Sequence, residues 1–245
     1  MNETALELVT SDGVRLRGRQ WGPGNDAAAC VVLVHGFAAS SSDAKVVAVA
    51  EALASTGHAV VAVDSRGHGA SGGAATLGDV ERLDVAAAVD ATGSGAVVLV
   101  GASMGAIGVL RHAVAPEHTR SIVGIVTVSC PARWTLPRNA RGLLSAGLTH
   151  TPPGRWAARR YLGVRIADPG PRPAPPEQLV PQVRVPLAVI HGRTDPFIPV
   201  SDAEVLYGKA QAPRRLDLVE GMGHAFEPES IAPVLAAVDW ILNQR

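Results

Sequence analysis

The hydrophobic positions along this chain follow two rhythms. Residues 6–9 and 14–19 alternate apolar and polar side chains around Ser11-Asp12-Gly13, which predicts a hairpin with one wetted face. From residue 30 the pattern changes. Residues 30–34 form an unbroken apolar run, as a parallel strand covered on both faces requires. Further strands are predicted at 59–63, 97–101, 122–128, 187–190 and 216–219, with helices between them at 42–55, 76–90, 104–114 and 201–210. Ile231, Val234, Leu235, Val238, Ile241 and Leu242 put one apolar stripe on a closing helix. Two capping pairs are predicted, Thr76 with Asp79 and Ser201 with Glu204. Strand–helix alternation after an opening hairpin predicts an α/β fold built on a mostly parallel sheet.

Residues 131–180 interrupt this alternation. Helical patches are predicted at 138–148 and 155–162, while the proline-rich stretch 169–176 excludes regular structure. The expected organisation is a core of residues 1–130 and 181–245, with 131–180 a short cap insertion over the sheet's C-terminal edge. Within it, Trp134, Trp156 and Tyr161 are candidates to line a substrate pocket, or else they pack the insertion onto the core. Its eight arginines (Arg133, Arg138, Arg141, Arg155, Arg159, Arg160, Arg165 and Arg172) face only Asp168 and Glu177. That excess is either a solvated surface or an attraction for an anionic substrate or acyl carrier.

At 245 residues the chain is one large domain, or one domain with an insertion. A 47% hydrophobic content suits a well-covered core. Zero net charge leaves no electrostatic case for nucleic-acid or membrane binding by the chain as a whole. The longest apolar runs are too short to cross a bilayer, and Met1-Asn2-Glu3-Thr4 does not open a signal peptide, so a cytoplasmic location is expected. Cys30 and Cys130, at the edges of predicted strands, are expected as buried free thiols.

The candidate chemistry centres on residues 97–106. An apolar strand runs through Gly101-Ala102-Ser103-Met104-Gly105 directly into a helix. The five-residue motif alone is a weak signal in a chain with 26 glycines; the strand before it and the helix after it give it weight. A turn that sharp presents the serine hydroxyl alone at its tip. A serine needs a base, and the base needs an orienting group. Asp195 falls in the loop leaving the strand at 187–190, and His224 in the loop leaving the strand at 216–219. Active groups gather at those carboxyl ends. Ser103 would attack a carbonyl carbon, His224 would take and return the proton, and Asp195 would orient and stabilise the imidazolium. Glu220 is the rival acid, and Asp217 lies inside a strand. Of the other histidines, His58 starts a strand, His112 and His118 lie on or after a surface helix, His191 is structural and His150 sits in the insertion. The backbone N–H groups of Phe37 and Met104 are the expected oxyanion donors, with His35 shaping the loop. The glycine-rich loop at 64–72 lacks both a phosphate-binding lysine and the dinucleotide glycine pattern, so it reads as a structural loop. No histidine–cysteine cluster has metal-ligand spacing.

With this elbow, the His35-Gly36-Phe37 turn, the 64–72 loop, His191-Gly192-Arg193-Thr194-Asp195 and His224 in order, the chain resembles the α/β-hydrolase-fold superfamily. The likeness is to its serine-hydrolase branch of carboxylesterases, acylglycerol lipases and related peptidases, and covers the core on either side of 131–180. The resemblance implies an eight-stranded, mostly parallel sheet flanked by helices, and no cofactor. Dehalogenases and epoxide hydrolases of this fold carry aspartate at the elbow, so Ser103 argues against both. The expected activity is cleavage of a small-molecule carboxylic ester through an acyl-enzyme. The alternatives are a thioesterase or acyl transferase acting on a carrier- or CoA-bound chain, and a binding protein without chemistry.

Overall fold

The structure is a computed structural model describing residues 3–23, 27, 29–93, 95–115, 122–134, 140–168, 170–211 and 213–244. Arg138, His118 and Pro169 lie outside these described residues.

The opening hairpin forms as β1 (Glu3–Val9) and β2 (Arg15–Trp21). The alternation then runs β3 (Cys30–Val34), α1 (Ala44–Ser55), β4 (Ala59–Val63), α2 (Arg82–Asp90), β5 (Val97–Ala102), α3 (Met104–Val114) and β6 (Ile122–Val128). After β6 come α4 (Ala140–His150), α5 (Pro152–Tyr161) and the short α6 (Pro176–Leu179). The chain closes with β7 (Leu187–Gly192), α7 (Val200–Lys209), β8 (Arg214–Val219) and α8 (Ile231–Leu242).

Eight strands make one sheet in the order β1-β2-β4-β3-β5-β6-β7-β8. β2 runs antiparallel to both β1 and β4, and every pairing from β4 to β8 is parallel. The continuous apolar runs follow from burial on both faces. In β3, Cys30, Val32 and Val34 pack toward a core shared with α2, α3 and α7, while Val31 and Leu33 pack toward one shared with α1 and α8. Among the described residues, no helix is long and apolar enough to cross a membrane.

Three local expectations fail for physical reasons. The predicted helix at 76–90 begins only at Arg82, and Asp79 is not the partner of Thr76. The buried Glu81 carboxylate instead accepts from the Thr76 hydroxyl and from the N–H groups of Thr76 and Gly78. Leu77 at φ 63° also takes the backbone out of the helical region, and Asp79 pairs with Arg111. α7 starts one residue early, with Pro199 as its N-cap and no side-chain cap, so Ser201 falls inside the first turn. His112 is buried, because α3 is sandwiched between the sheet and α2. Cys30 and Cys130 are free and buried, and burial pushes both thiols up, Cys30 to about 11.

The segment between β6 and β7 is tied to the core at both ends. Trp134 packs against the core and its Nε1–H donates to Pro173 O at 2.7 Å. Beyond α5, Ile166 bridges to Ala75, and the Arg165 guanidinium donates to the carbonyls of Gly73 and Ser71. Arg133 pairs with Glu177 and Arg155 with Asp168.

Candidate active site

The site is built where β3, β5, β6, β7 and β8 end side by side. Ser103 sits at the turn from β5 to α3 with φ 52° and ψ −114°, a conformation costing on the order of 1–3 kcal/mol. Its surroundings hold it there. Ser103 N–H donates to Val128 O on β6 at 2.8 Å, and Ser103 O accepts from Ala106 N–H at 3.1 Å. The two motif glycines have a steric reason. A Cβ on Gly105 would strike the carbonyls of Val34 and His35, and one on Gly101 would strike Gly105. This close approach brings the end of β3 against the elbow, with the Cβ position of Gly36 only 3.3 Å from Ser103 Cβ.

Phe37 therefore begins the loop beside Ser103. Among the described residues, neither the Phe37 nor the Met104 N–H meets an acceptor. The loop is shaped by His35, whose Nδ1–H donates to Gly36 O at 2.7 Å and whose Nε2 accepts from Ser65 N–H at 3.0 Å. Burial, with the neighbouring His68 adding to it, holds the His35 imidazole down at about 4. This has a consequence for stability. The native state keeps His35 neutral while the unfolded chain takes up a proton near 6.5, so its contribution is complete above that pH and is lost as pH falls toward 4. The loss is up to about 1.4 kcal/mol per pH unit within the window. Asp84, which burial raises to about 6 against the pull of Arg66, works with the opposite sign over part of that range. The expected result is that His35→Gln flattens the acid limb of stability against pH by close to one proton, measured by denaturant unfolding between pH 4 and 7.

Asp195, after β7, has a fully buried side chain, and its Oδ2 accepts from His224 Nδ1 at 2.7 Å. Its Oδ1 accepts from the N–H groups of Phe197 and Ile198 at 2.8 and 3.0 Å. Burial opposes ionisation here, but the His224 hydrogen bond and these backbone donors outweigh it and hold the carboxyl below its usual range. An ionised Asp195 accepts only, so the Nδ1–H of His224 is the donor in this contact and its Nε2 is the nitrogen turned away from the carboxylate. No hydrogen bond between Ser103 Oγ and His224 is present among the described residues; such contacts commonly tighten only around substrate. The rival acid stands elsewhere, since Glu220 is on the surface with Arg193. Asp217 is held by Arg215. His191 is buried, with Nε2 donating to Ile198 O. Trp156 and Tyr161 are exposed and contact each other, their ring centroids 6.1 Å apart.

Two residues at the site carry no sequence signal of their own. Ser129, fully buried at the end of β6 with φ 50°, donates its N–H to Ile190 O on β7 and accepts the Ala225 N–H on its Oγ at 3.1 Å. It thereby ties the strand beside the elbow to the loop holding His224. Phe197 lays its ring against the His224 imidazole with centroids 5.0 Å apart.

A mostly parallel eight-stranded sheet with a strained serine between strand and helix defines an α/β hydrolase. The model of a family described as the alpha/beta hydrolase family matches residues 31–237, and the chain belongs to that family. It is 26% identical to the uncharacterized protein YqkD of Bacillus subtilis over 231 residues, which is 92% of this chain and 74% of that protein. It is 34% identical to the mitochondrial palmitoyl-protein thioesterase ABHD10 of Mus musculus over 103 residues, covering 40% of this chain and 34% of that one. Among solved structures, the Pyrococcus furiosus esterase Pf2001 superposes with a TM-score of 0.74 at 22% identity, over 99% of this chain and 92% of that one. The esterase RhEst1 from Rhodococcus does so with 0.68 at 22% identity, over 98% of both. At these identities the structural likeness speaks for the fold.

Proposed function

We propose that this chain is a serine hydrolase that cleaves a carboxylic ester through an acyl-enzyme on Ser103. The observation that carries the reading is the buried, ionised Asp195 bonded to His224 Nδ1, in a chain whose elbow serine belongs to the same strand-end cluster. Ser103 Oγ attacks the ester carbonyl as His224 Nε2 accepts its proton. The tetrahedral oxyanion forms against the backbone N–H groups of Phe37 and Met104, each worth about 3–4 kcal/mol of transition-state stabilisation. The imidazolium then protonates the departing alkoxide, and water repeats the sequence to release the acid. Residues 131–180 serve as the cap in this reading, and the protein works in the cytoplasm.

A thioester substrate is the second reading, favoured by the match to a palmitoyl-protein thioesterase. Turnover of one acyl series presented as oxygen esters and as coenzyme A thioesters separates the two. The expected result is faster turnover of the oxygen esters; a consistent preference for the thioesters replaces the first reading with the second. Ser129→Ala removes the Oγ that holds Ala225 and is expected to lower kcat about tenfold with KM nearly unchanged, since small misplacements of a base are costly. Unaltered kcat in steady-state assays removes Ser129 from the positioning of His224.

A further inference from the structure

The molecule has no net charge, yet residues 134–167 hold six arginines and no aspartate or glutamate. Part of this charge is tied down within the protein, as Arg155 pairs with Asp168 and Arg165 with backbone carbonyls. Arg159 and Arg160, in the last turn of α5, are exposed and meet no carboxylate among the described residues. The guanidinium of Arg160 lies over the Tyr161 ring, 5.5 Å from its centroid.

The same segment concentrates the apolar exposure. Of the seven large hydrophobic side chains exposed among the described residues, five fall on or beside α4 and α5: Leu143, Leu144, Trp156, Tyr161 and Leu162. Trp156 is 62% exposed and Tyr161 71%, whereas Ala158 is fully buried, so α5 turns a small residue inward and its aromatic residues outward. That arrangement is unfavourable in water and is the reverse of a helix stabilised by its own core.

Exposed tryptophan, tyrosine and leucine beside arginines that meet no carboxylate among the described residues match the headgroup layer of a lipid surface. Aromatic rings rest between the apolar and wet zones, arginine stems reach back to phosphate, and leucine enters the acyl boundary. We propose that the α4–α5 hairpin docks this protein onto an anionic lipid surface, with Arg159 and Arg160 against the headgroup phosphates and Trp156 and Tyr161 seated among them. An acidic protein partner would satisfy the arginines but has no inherent need for the exposed leucines. The docking stands without the chemistry; its use as a route to acyl esters rests on the ester-hydrolase reading.

The test is co-sedimentation of the full chain as its Ser103→Ala variant, so that hydrolysis does not alter the vesicles. Vesicles of phosphatidylcholine alone are compared with an equal mixture of phosphatidylcholine and phosphatidylglycerol, at low and high salt. Expected is binding to the mixed vesicles that weakens with salt. Arg159→Gln with Arg160→Gln should weaken it by roughly thirtyfold. Trp156→Ser with Tyr161→Ser should also release the protein, with thermal midpoints confirming that both pairs of variants remain folded. Protein left in the supernatant with the mixed vesicles, binding no stronger to them than to phosphatidylcholine alone, or binding unmoved by both pairs of substitutions, overturns the proposal. So does binding to an acidic acyl carrier protein without any to vesicles, which would assign the arginines to the carrier.

Discussion

Ser103→Ala is expected to lower kcat on an oxygen ester by roughly six orders of magnitude with a much smaller change in KM. The size follows from the proposed mechanism, in which alanine leaves the backbone oxyanion donors in place but removes the atom that forms the acyl bond. Removing the proposed base as well should add little, because that mechanism has Ser103 and His224 act in one step, so Ser103→Ala/His224→Ala should resemble either single variant. Asp195→Asn should be milder, at about four orders of magnitude, because it misorients the imidazole without deleting it. The fold should survive. Ser103 Oγ has no hydrogen-bond partner among the described residues, so its loss orphans nothing, and alanine suffers the same backbone strain at φ 52°. Equal thermal midpoints with collapsed turnover therefore define the expected outcome. Retention of more than about a hundredth of the activity would remove Ser103 as nucleophile, since no reaction through an acyl-serine tolerates that loss.

The core of the fold was legible because parallel strands covered on both faces must read as apolar runs, and β3, β4, β5 and β6 do. The elbow was legible for a similar reason: its glycines are forced by backbone from β3 and α3 within Cβ distance. What failed was chemistry decided by neighbours across the fold. Thr76 and Asp79 have capping spacing, but the buried Glu81 gathers the donors. Ser129 looks like any serine after an apolar run until β6 is set beside β7 and the His224 loop. His112 misled because its own helix, apolar almost all round, is one that the sheet and α2 both cover. Phe197 depends on a loop bending its ring back onto His224.

The largest stability effect is expected at a site distant in sequence but closed in space. Arg66, on the loop after β4, donates its Nε–H and backbone N–H to the Asp84 carboxylate of α2 at 2.9 and 2.7 Å. Its two terminal nitrogens also reach Asp12 in the hairpin turn at 2.8 and 3.1 Å. The Arg66 and Asp84 side chains are 5% and 0% exposed. Breaking such a buried pair by removing one partner typically costs about 3–5 kcal/mol, against about 5–15 kcal/mol for a whole domain. Arg66→Met is expected to cost that much at pH 7, read as a drop in denaturant midpoint at constant m. The cost comes mainly from the stranded Asp84 charge. Arg66→Met/Asp84→Leu should therefore be less damaged than the sum of the single variants, recovering all but the orphaned Arg66 N–H. The pH dependence distinguishes charge from packing. Burial already raises Asp84 to about 6 with Arg66 present, and without the guanidinium it rises further. The native variant then binds a proton that the unfolded chain, titrating near 3.8, does not, so its deficit should shrink as pH is lowered from 7 to 5. A deficit independent of pH, with the second substitution simply adding to it, would mean that Arg66 holds these three segments together by its packing alone.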